Sequence, residues 1–312
     1  MRETVVYKKF LKDLWAVFSV LYIISLVFVA IFAYQIAPDS TSNSNQMHLS
    51  IHSKPPGFKV EMLLLQADNI PSISKSFFSG QVNGITEIPL QDYRLQFDGV
   101  EIQPYGSPSD YYEFIDASKL QSPLSEFSFK KQHIEEKKFL LGTDKYGRDL
   151  LSRLIVGSRI SLSIGFIAVF ISLLIGVFLG ALAGFFGGYL DKGIVWLINV
   201  FWSIPTLLMV IAITLALGRG FWQVFVAVGL TMWVEVARVV RGQVLTLKEK
   251  TFIKASQTLG YGKARIIWNH ILPLLIPPLI VISAANFASA ILIESGLSFL
   301  GIGAQPPVPS WG

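Results

Sequence analysis

From Leu14 to Ala37 the chain runs for 24 residues without a charged side chain. A hydrocarbon layer about 30 Å thick is crossed by about 20 apolar residues in a helix rising about 1.5 Å per residue. Four more apolar runs follow, over about 160–186, 193–217, 221–240 and 271–293. The third of these is free of charge only over Phe221–Val234 and continues as helix to Val240, with Glu235 and Arg238 near its end. Composition points the same way: 15% of the residues are charged, against about 25% in soluble domains. So few charges cannot cover a water-facing surface. The first run exceeds the roughly 7–15 apolar residues of a signal-peptide core, and no A-x-A site follows it, so it reads as an uncleaved helix.

Orientation follows from lysine and arginine in the short flanks. Arg2, Lys8, Lys9 and Lys12 precede the first run, and Arg238, Arg241, Lys248, Lys250, Lys254, Lys263 and Arg265 surround the segment after the fourth, against one acid beyond the helix end, Glu249. A cytoplasmic tail over 1–13 and five alternating crossings put both basic segments inside. The net charge of +5 is then topological, which disfavours nucleic acid as a partner. The intervening 38–140 segment falls outside. There Lys59–Leu65 is apolar and short, and Tyr93–Ile102 alternates across Asp98-Gly99, as in a strand or hairpin. The segment reads as a small β-rich insert, either a structural cap or a contact for a delivery protein. His48, His52 and His133 match no zinc-ligand spacing and read as solvated. With no cysteine in the chain, disulfides, thiolate metal sites and thiol nucleophiles are excluded.

Within the apolar runs, Gly176, Gly180, Gly184 and Gly188 recur every four residues and form a groove for close helix packing. Pro205 removes one hydrogen bond from the third run and predicts a kink, belonging either to a gate or to packing. Glu294, just after the last run, is expected to reach the outer interface, since a carboxylate at mid-bilayer is costly. A substrate role is the lesser reading for it. The runs otherwise lack ionisable residues suited to ion coupling at mid-bilayer.

The loop over about 241–270 carries the most specific signal. Phe252, Ala255, Ser256 and Leu259 fall on one face of a short helix. Gly260 is placed to end that helix in the left-handed conformation. A second short helix, Lys263–Asn269, carries Ala264, Ile267 and Trp268 on its apolar side. Such an element either docks a soluble partner or lies on lipid headgroups.

This loop resembles the EAA loop of ABC importer permeases: Lys254-Ala255-Ser256, then Gly260, then His270, Leu272 and Pro273 stand at the family's spacing. Further blocks are similar to the dipeptide, oligopeptide and nickel permeases, the C-type subunit in peptide importers. They comprise Gly142, Thr143, Asp144, Gly147, Arg148 and Asp149 within 141–149, Leu151-Ser-Arg153, Ser203-Ile-Pro205, Trp233 with Ala237, Arg238 and Arg241, Leu297–Gly301 and Pro306–Gly312. The resemblance spans 141–312. Three departures stand out: Lys254 replaces the family glutamate and Ser256 an alanine, His270 replaces an aliphatic residue, and the chain stops where members continue into one more helix. The last departure is expected to reflect a truncated product or an incomplete reading frame.

The resemblance implies an all-α polytopic membrane protein, a type I ABC importer permease-like bundle, with a small β-rich extracytoplasmic insert. It also implies a plasma (inner) membrane location, a second permease subunit, two cytoplasmic ATPase subunits and an extracytoplasmic solute-binding protein. The chain has no G-x-x-x-x-G-K-[ST] phosphate loop. It is therefore expected to be a transport subunit without its own ATPase site or cofactor, ATP and magnesium being bound by the partners. Peptides are the expected cargo, with nickel or another small solute as the alternative. A membrane-anchored sensor or scaffold and a secondary transporter are readings of a different class.

Overall fold

The computed structural model describes residues 10–66, 77–81, 85–117, 120, 126–218 and 220–312. Arg2, Lys8 and Lys9, on which part of the orientation argument rests, lie outside them. The chain divides into two compact units, one of residues 1–159 with 307–310, the other of residues 160–306 with 311–312.

The first unit opens with helix α1, Leu14–Ile31, followed after Phe32 by the single turn α2, Ala33–Ile36. The Asp13 carboxylate caps α1 by accepting from the backbone N–H groups of Trp15 and Ala16. No residue of α1 is buried within the chain. A bare helix of this hydropathy needs lipid or other apolar helices around it.

Five strands form one antiparallel sheet in the order β4-β3-β2-β1-β5. They are β1 Phe58–Gln66, β2 Ile85–Gln96, β3 Gly99–Pro104, β4 Glu113–Asp116 and β5 Ile134–Phe139, with helix α3, Glu126–His133, between the last two. The β2–β3 hairpin closes on the Gln96–Gly99 pair. Its turn is therefore Phe97-Asp98, one residue earlier than the sequence suggests. The sheet is apolar on both faces. Leu63, Leu90, Val100, Ile102 and Phe129 pack on one side, and Ile51, Val60, Met62 and Phe139 on the other.

The reading of the histidines as solvated holds for His52, which is exposed, and is corrected for the other two. His48 is buried, with Nε2 3.4 Å from Glu87 Oε2, and His133 Nδ1 lies 3.2 Å from the Leu64 carbonyl oxygen. Burial works against a charge on Glu87. The His48 ring, the Lys137 ammonium at 2.8 Å and Gln46 outweigh it and hold this carboxyl down to about 2. A carboxyl lowered on folding stabilises the fold above its unfolded value of 4.5, and that contribution is lost as pH falls toward 2. Thermal unfolding of the purified chain is expected to show this acid loss, on the order of 3 kcal/mol. Glu87→Gln should flatten the profile between pH 5 and about 2; an unchanged profile would remove Glu87 from the account.

The second unit takes in most of helix α4, Leu150–Phe186, and then α5 Gly188–Trp202, α6 Thr206–Leu217, α7 Phe221–Lys248, α8 Thr251–Thr258, α9 Lys263–Ile266 and α10 Leu272–Phe299. Among the described residues, four helical stretches are long and apolar enough to cross a membrane, or five if the bent pair α5–α6 counts as one. Helix α4 starts ten residues before its apolar run because Asp149 caps it, accepting from the backbone N–H of Ser152 at 2.9 Å. The charges of Arg153 and Arg159 hide that first part from a hydropathy argument.

The 193–217 run bends far more sharply than a proline kink. Its two halves meet at 92°. Pro205 sits in extended backbone at φ −55°, ψ 127°, and a proline also pushes the residue before it out of helical geometry. The hydrogen-bond ladder therefore restarts at the Pro205 carbonyl, which accepts from Met209 N–H at 3.1 Å. The result is a corner.

The last run also differs. Helix α10 extends to Phe299, and α9 flows into it through one π-turn, Ile267–Ile271, so Lys263–Phe299 is continuous. Pro277 and Pro278 sit inside the helix without breaking it. Glu294 consequently lies within the helix and not after its end. It is fully buried, accepts from Ser298 Oγ at 2.6 Å, and its Oε2 has no partner among the described residues.

Candidate functional site

Three arrangements bring the sequence-predicted residues together. The first is the helical loop after α7. Ile253 and Ser256 of α8 are buried, and Ile253 joins a core of Val240, Val244, Ile266, Ile271 and Leu275. Phe252, Ala255 and Leu259 stand on the opposite side, exposed. Ser256 thus leaves the expected four-residue face, which keeps its other three members. The helix ends in a Schellman arrangement: Tyr261 N–H donates to Ser256 O and Gly260 N–H to Gln257 O. Gly260 has φ +77° and open space where a Cβ would stand. Backbone conformation, not room, requires glycine here.

Side chains fix the loop to the bundle. Lys248 Nζ donates to the Phe185 carbonyl at 2.8 Å, and Lys263 lies over the Phe186 ring. His270 stacks on Tyr261, with rings 6.1 Å apart and nearly parallel. Leu272 and Pro273 open α10. Lys254, at the position of the family glutamate, pairs with Glu249 at 2.7 Å. That contact holds the exposed Glu249 carboxyl below the usual range.

The second arrangement is the seam between α4 and α7. A Cβ on Gly176 would stand 2.5 Å from Val236, on Gly180 2.6 Å from the Ala237 carbonyl oxygen, and on Gly184 2.8 Å from Val244. Glycines four apart on one helix meet valines four apart on the other, which is how helices associate closely in lipid. Gly188 is not part of this ridge. Helix α4 ends at Phe186, and Gly188 opens the next helix, α5, with φ +60° and nothing within 4 Å of its Cβ position. The same helix α7 carries Arg241, whose Nε and Nη2 donate to Asp191 of α5 at 2.5 and 2.8 Å. Sequence reasoning missed Asp191. The signal available was slight, a lone acid in the short break between two apolar runs.

Beside this seam the corner opens a cavity of about 340 Å³, lined by Phe201, Trp202, Thr206, Thr231, Glu235 and Ser289 among others. Pro205 stands at the corner, and Arg238 stacks on Trp202 at 3.4 Å from the ring centre, with Nη2 3.4 Å from Asn199 Oδ1.

The third arrangement belongs to the first unit and gathers the 142–149 block. Thr143 Oγ1 donates to the Ile51 carbonyl and accepts from Lys54 N–H. Asp144 accepts from the backbone N–H groups of Tyr146 and Arg148 and pairs with the Arg148 guanidinium at 2.6 Å. Arg148 also donates to Asn45 Oδ1 at 2.9 Å. Asp149 accepts from Ser152 Oγ, which in turn accepts from Asp39 N–H at 2.8 Å. Gly147 has φ +72°, and a Cβ there would strike the His48 carbonyl oxygen at 1.8 Å. Burial opposes a charge on Asp144, but Arg148 and the two backbone donors keep its carboxyl below the ordinary range. These residues form a clasp between the 39–54 segment and the start of α4.

Several apolar spans, a glycine seam and a helical loop continuous with two of the spans define a multi-pass helical membrane protein. Residues 176–312 match the family of binding-protein-dependent transport system inner membrane components. The dipeptide transport system permease protein DppC of Alkalihalophilus pseudofirmus is 36% identical over 209 residues, 67% of this chain and 65% of the relative. The oligopeptide transport system permease protein OppC of Escherichia coli is 45% identical over 171 residues, 55% of this chain and 57% of the relative. The glutathione transport system permease protein GsiD of Salmonella paratyphi A is 43% identical over 171 residues, 55% and 56% of the two chains. The chain thus spans under two thirds of the length of these relatives. Among solved structures, the methionine ABC transporter MetNI in an inward-facing conformation matches at 21% identity and a TM-score of 0.44, over 48% of this chain and 76% of that chain.

Proposed function

We propose that the chain is a permease subunit of an ATP-driven importer of peptides, forming the membrane pathway together with a second permease subunit. Two ATPase subunits complete the assembly, one docking on the α8 loop and the other on the second permease subunit, and a solute-binding protein delivers cargo on the opposite side. ATP and magnesium bind the partners. The N-terminus and the 241–270 loop face the cytoplasm of a plasma (inner) membrane, and the 38–140 insert faces out. The observation that carries this reading is the exposed stripe Phe252, Ala255 and Leu259, on a helix whose other face is locked into the bundle through Ile253. A rigidly anchored helix with a bare apolar side can pass force from a partner into α7 and α10. Coupling further requires that the partner's nucleotide states bind this helix with different free energies.

The test is co-purification with the ATPase subunits of the importer. Gly260→Val places a β-branched residue in left-handed backbone, a strain of about 1–2 kcal/mol, and unravels the helix end that presents Leu259. The variant is expected to insert into the membrane normally but to retain less than a tenth of the ATPase. Full retention of the ATPase would count against the docking assignment.

A further inference from the structure

Glu235 stands 14 residues after Phe221 on a continuous helix, about 21 Å along it, and therefore inside the span. It is exposed on the wall of the corner cavity beside Trp202, Thr206, Thr231 and Ser289. Read from sequence, with the helix ending near Val240, it passes for an end residue. The structure carries α7 on to Lys248. Among the described residues it has no ion pair or hydrogen bond. Arg238, one turn further, is committed to Trp202 and Asn199, and Arg241 to Asp191.

An unpaired carboxylate at membrane depth is costly unless it lines a water-filled space, and such groups mark solute pathways. The backbone supports the same conclusion from a separate direction. Helix α5 breaks from α6 at this cavity, and non-helical backbone within a bilayer persists where it lines protein or water. Phe201 and Trp202 add aromatic faces, which attract cations. A carboxylate, hydroxyls and aromatic rings around about 340 Å³ suit a small organic cation better than an anion or a fully apolar solute.

We propose that Glu235 is a specificity-determining residue of the pathway and receives the primary ammonium group of the cargo, the N-terminal amine if the cargo is a peptide. This rests on the permease reading above. The Glu235 carboxylate accepts from the ammonium, Thr206, Thr231 and Ser289 replace part of its lost hydration, and the aromatic pair bounds the chain that follows.

The experiment uses the whole transporter in proteoliposomes and compares ATP-driven uptake of trialanine with N-acetyl-trialanine, which lacks the ammonium. Glu235→Gln is expected to lower the ratio of the two rates at least tenfold, and Glu235→Asp to restore most of it. A ratio unchanged by Glu235→Gln overturns the proposal, whether both rates fall together or neither does. A second readout uses the absence of cysteine from the chain. Ser289→Cys supplies a single thiol in the cavity. It should react with 2-aminoethyl methanethiosulfonate, itself a primary ammonium, at least fivefold faster than with the 2-sulfonatoethyl reagent, and adding Glu235→Gln should abolish that preference. Equal rates in the presence of Glu235 overturn the cation site. Failure of the wild-type transporter to take up either peptide overturns the peptide reading alone, and the labelling ratio then decides the ammonium site by itself.

Discussion

Gly180→Leu is expected to remove most of the folded chain from the membrane. The added Cβ would stand 2.6 Å from the Ala237 carbonyl oxygen and 2.8 Å from Val240. The first of these is backbone in the middle of a 28-residue helix, which cannot swing aside as a flexible side chain can. Relief requires α4 and α7 to separate, and separation also exposes Gly176 and Gly184 opposite Val236 and Val244. Overpacking of this kind costs about 1–3 kcal/mol when a core can adjust and more when it cannot. Lipid gives little hydrophobic drive to close the gap again. Size-exclusion profiles of detergent-solubilised material should show at least a tenfold loss of the monodisperse species. Gly193→Leu is the control, since a Cβ at Gly193 meets nothing within 4 Å and its φ is not in the left-handed region. Equal yields for the two variants would show that α4 and α7 do not meet along the glycines.

Asp144→Ala is expected to have the second largest effect, through the clasp at the start of α4. Arg148 is 4% exposed, and removing its carboxylate partner leaves a guanidinium held by Asn45 and by the face of Tyr146. Breaking a buried pair from one side costs about 3–5 kcal/mol, mostly from the charge left behind. The melting temperature of the purified chain should fall accordingly. Arg148→Met added to Asp144→Ala should recover a large part of the loss, because an apolar replacement removes the stranded charge. If the single variant melts with the wild type, the block has another role. A double variant no better than the single one would mean that the backbone donors to Asp144, not the ion pair, hold the loop.

The membrane character of the chain was legible because it depends on local runs of residue type. Leu14–Ala37 needs no tertiary information to be read as a crossing, and the alternation in 93–102 needs little to be read as a hairpin. Gly260 was legible for a similar reason: the left-handed stop of a helix is set by one residue and its immediate neighbours. Features that depend on distant partners were not. Whether Pro205 makes a kink or a corner depends on what holds α5 and α6 on either side of it. Asp191 and Arg241 are 50 positions apart, and nothing local joins them. Glu294 and Glu235 were both read as lying at helix ends for the same reason, an underestimate of helix length where polar residues interrupt an apolar run. One was taken for an interface residue and the other for a helix end. The Gly188 position followed the spacing of the ridge but fell beyond the end of the helix that carries it.

The Lys254–Glu249 contact on α8 bears on how the importer, on the reading proposed above, would choose its motor. A permease that offers a lone glutamate invites a basic counterpart, and that attraction weakens as ions screen it over about 8 Å at physiological ionic strength. Here lysine and glutamate cancel each other within the chain, and the exposed charge left beside the bare ridge is basic, from Lys250 and Arg265. Recognition then joins matched relief between two greasy surfaces to a pull on acidic groups that dissolved electrolyte weakens, and gives a motor built to grasp an acidic handle nothing to hold.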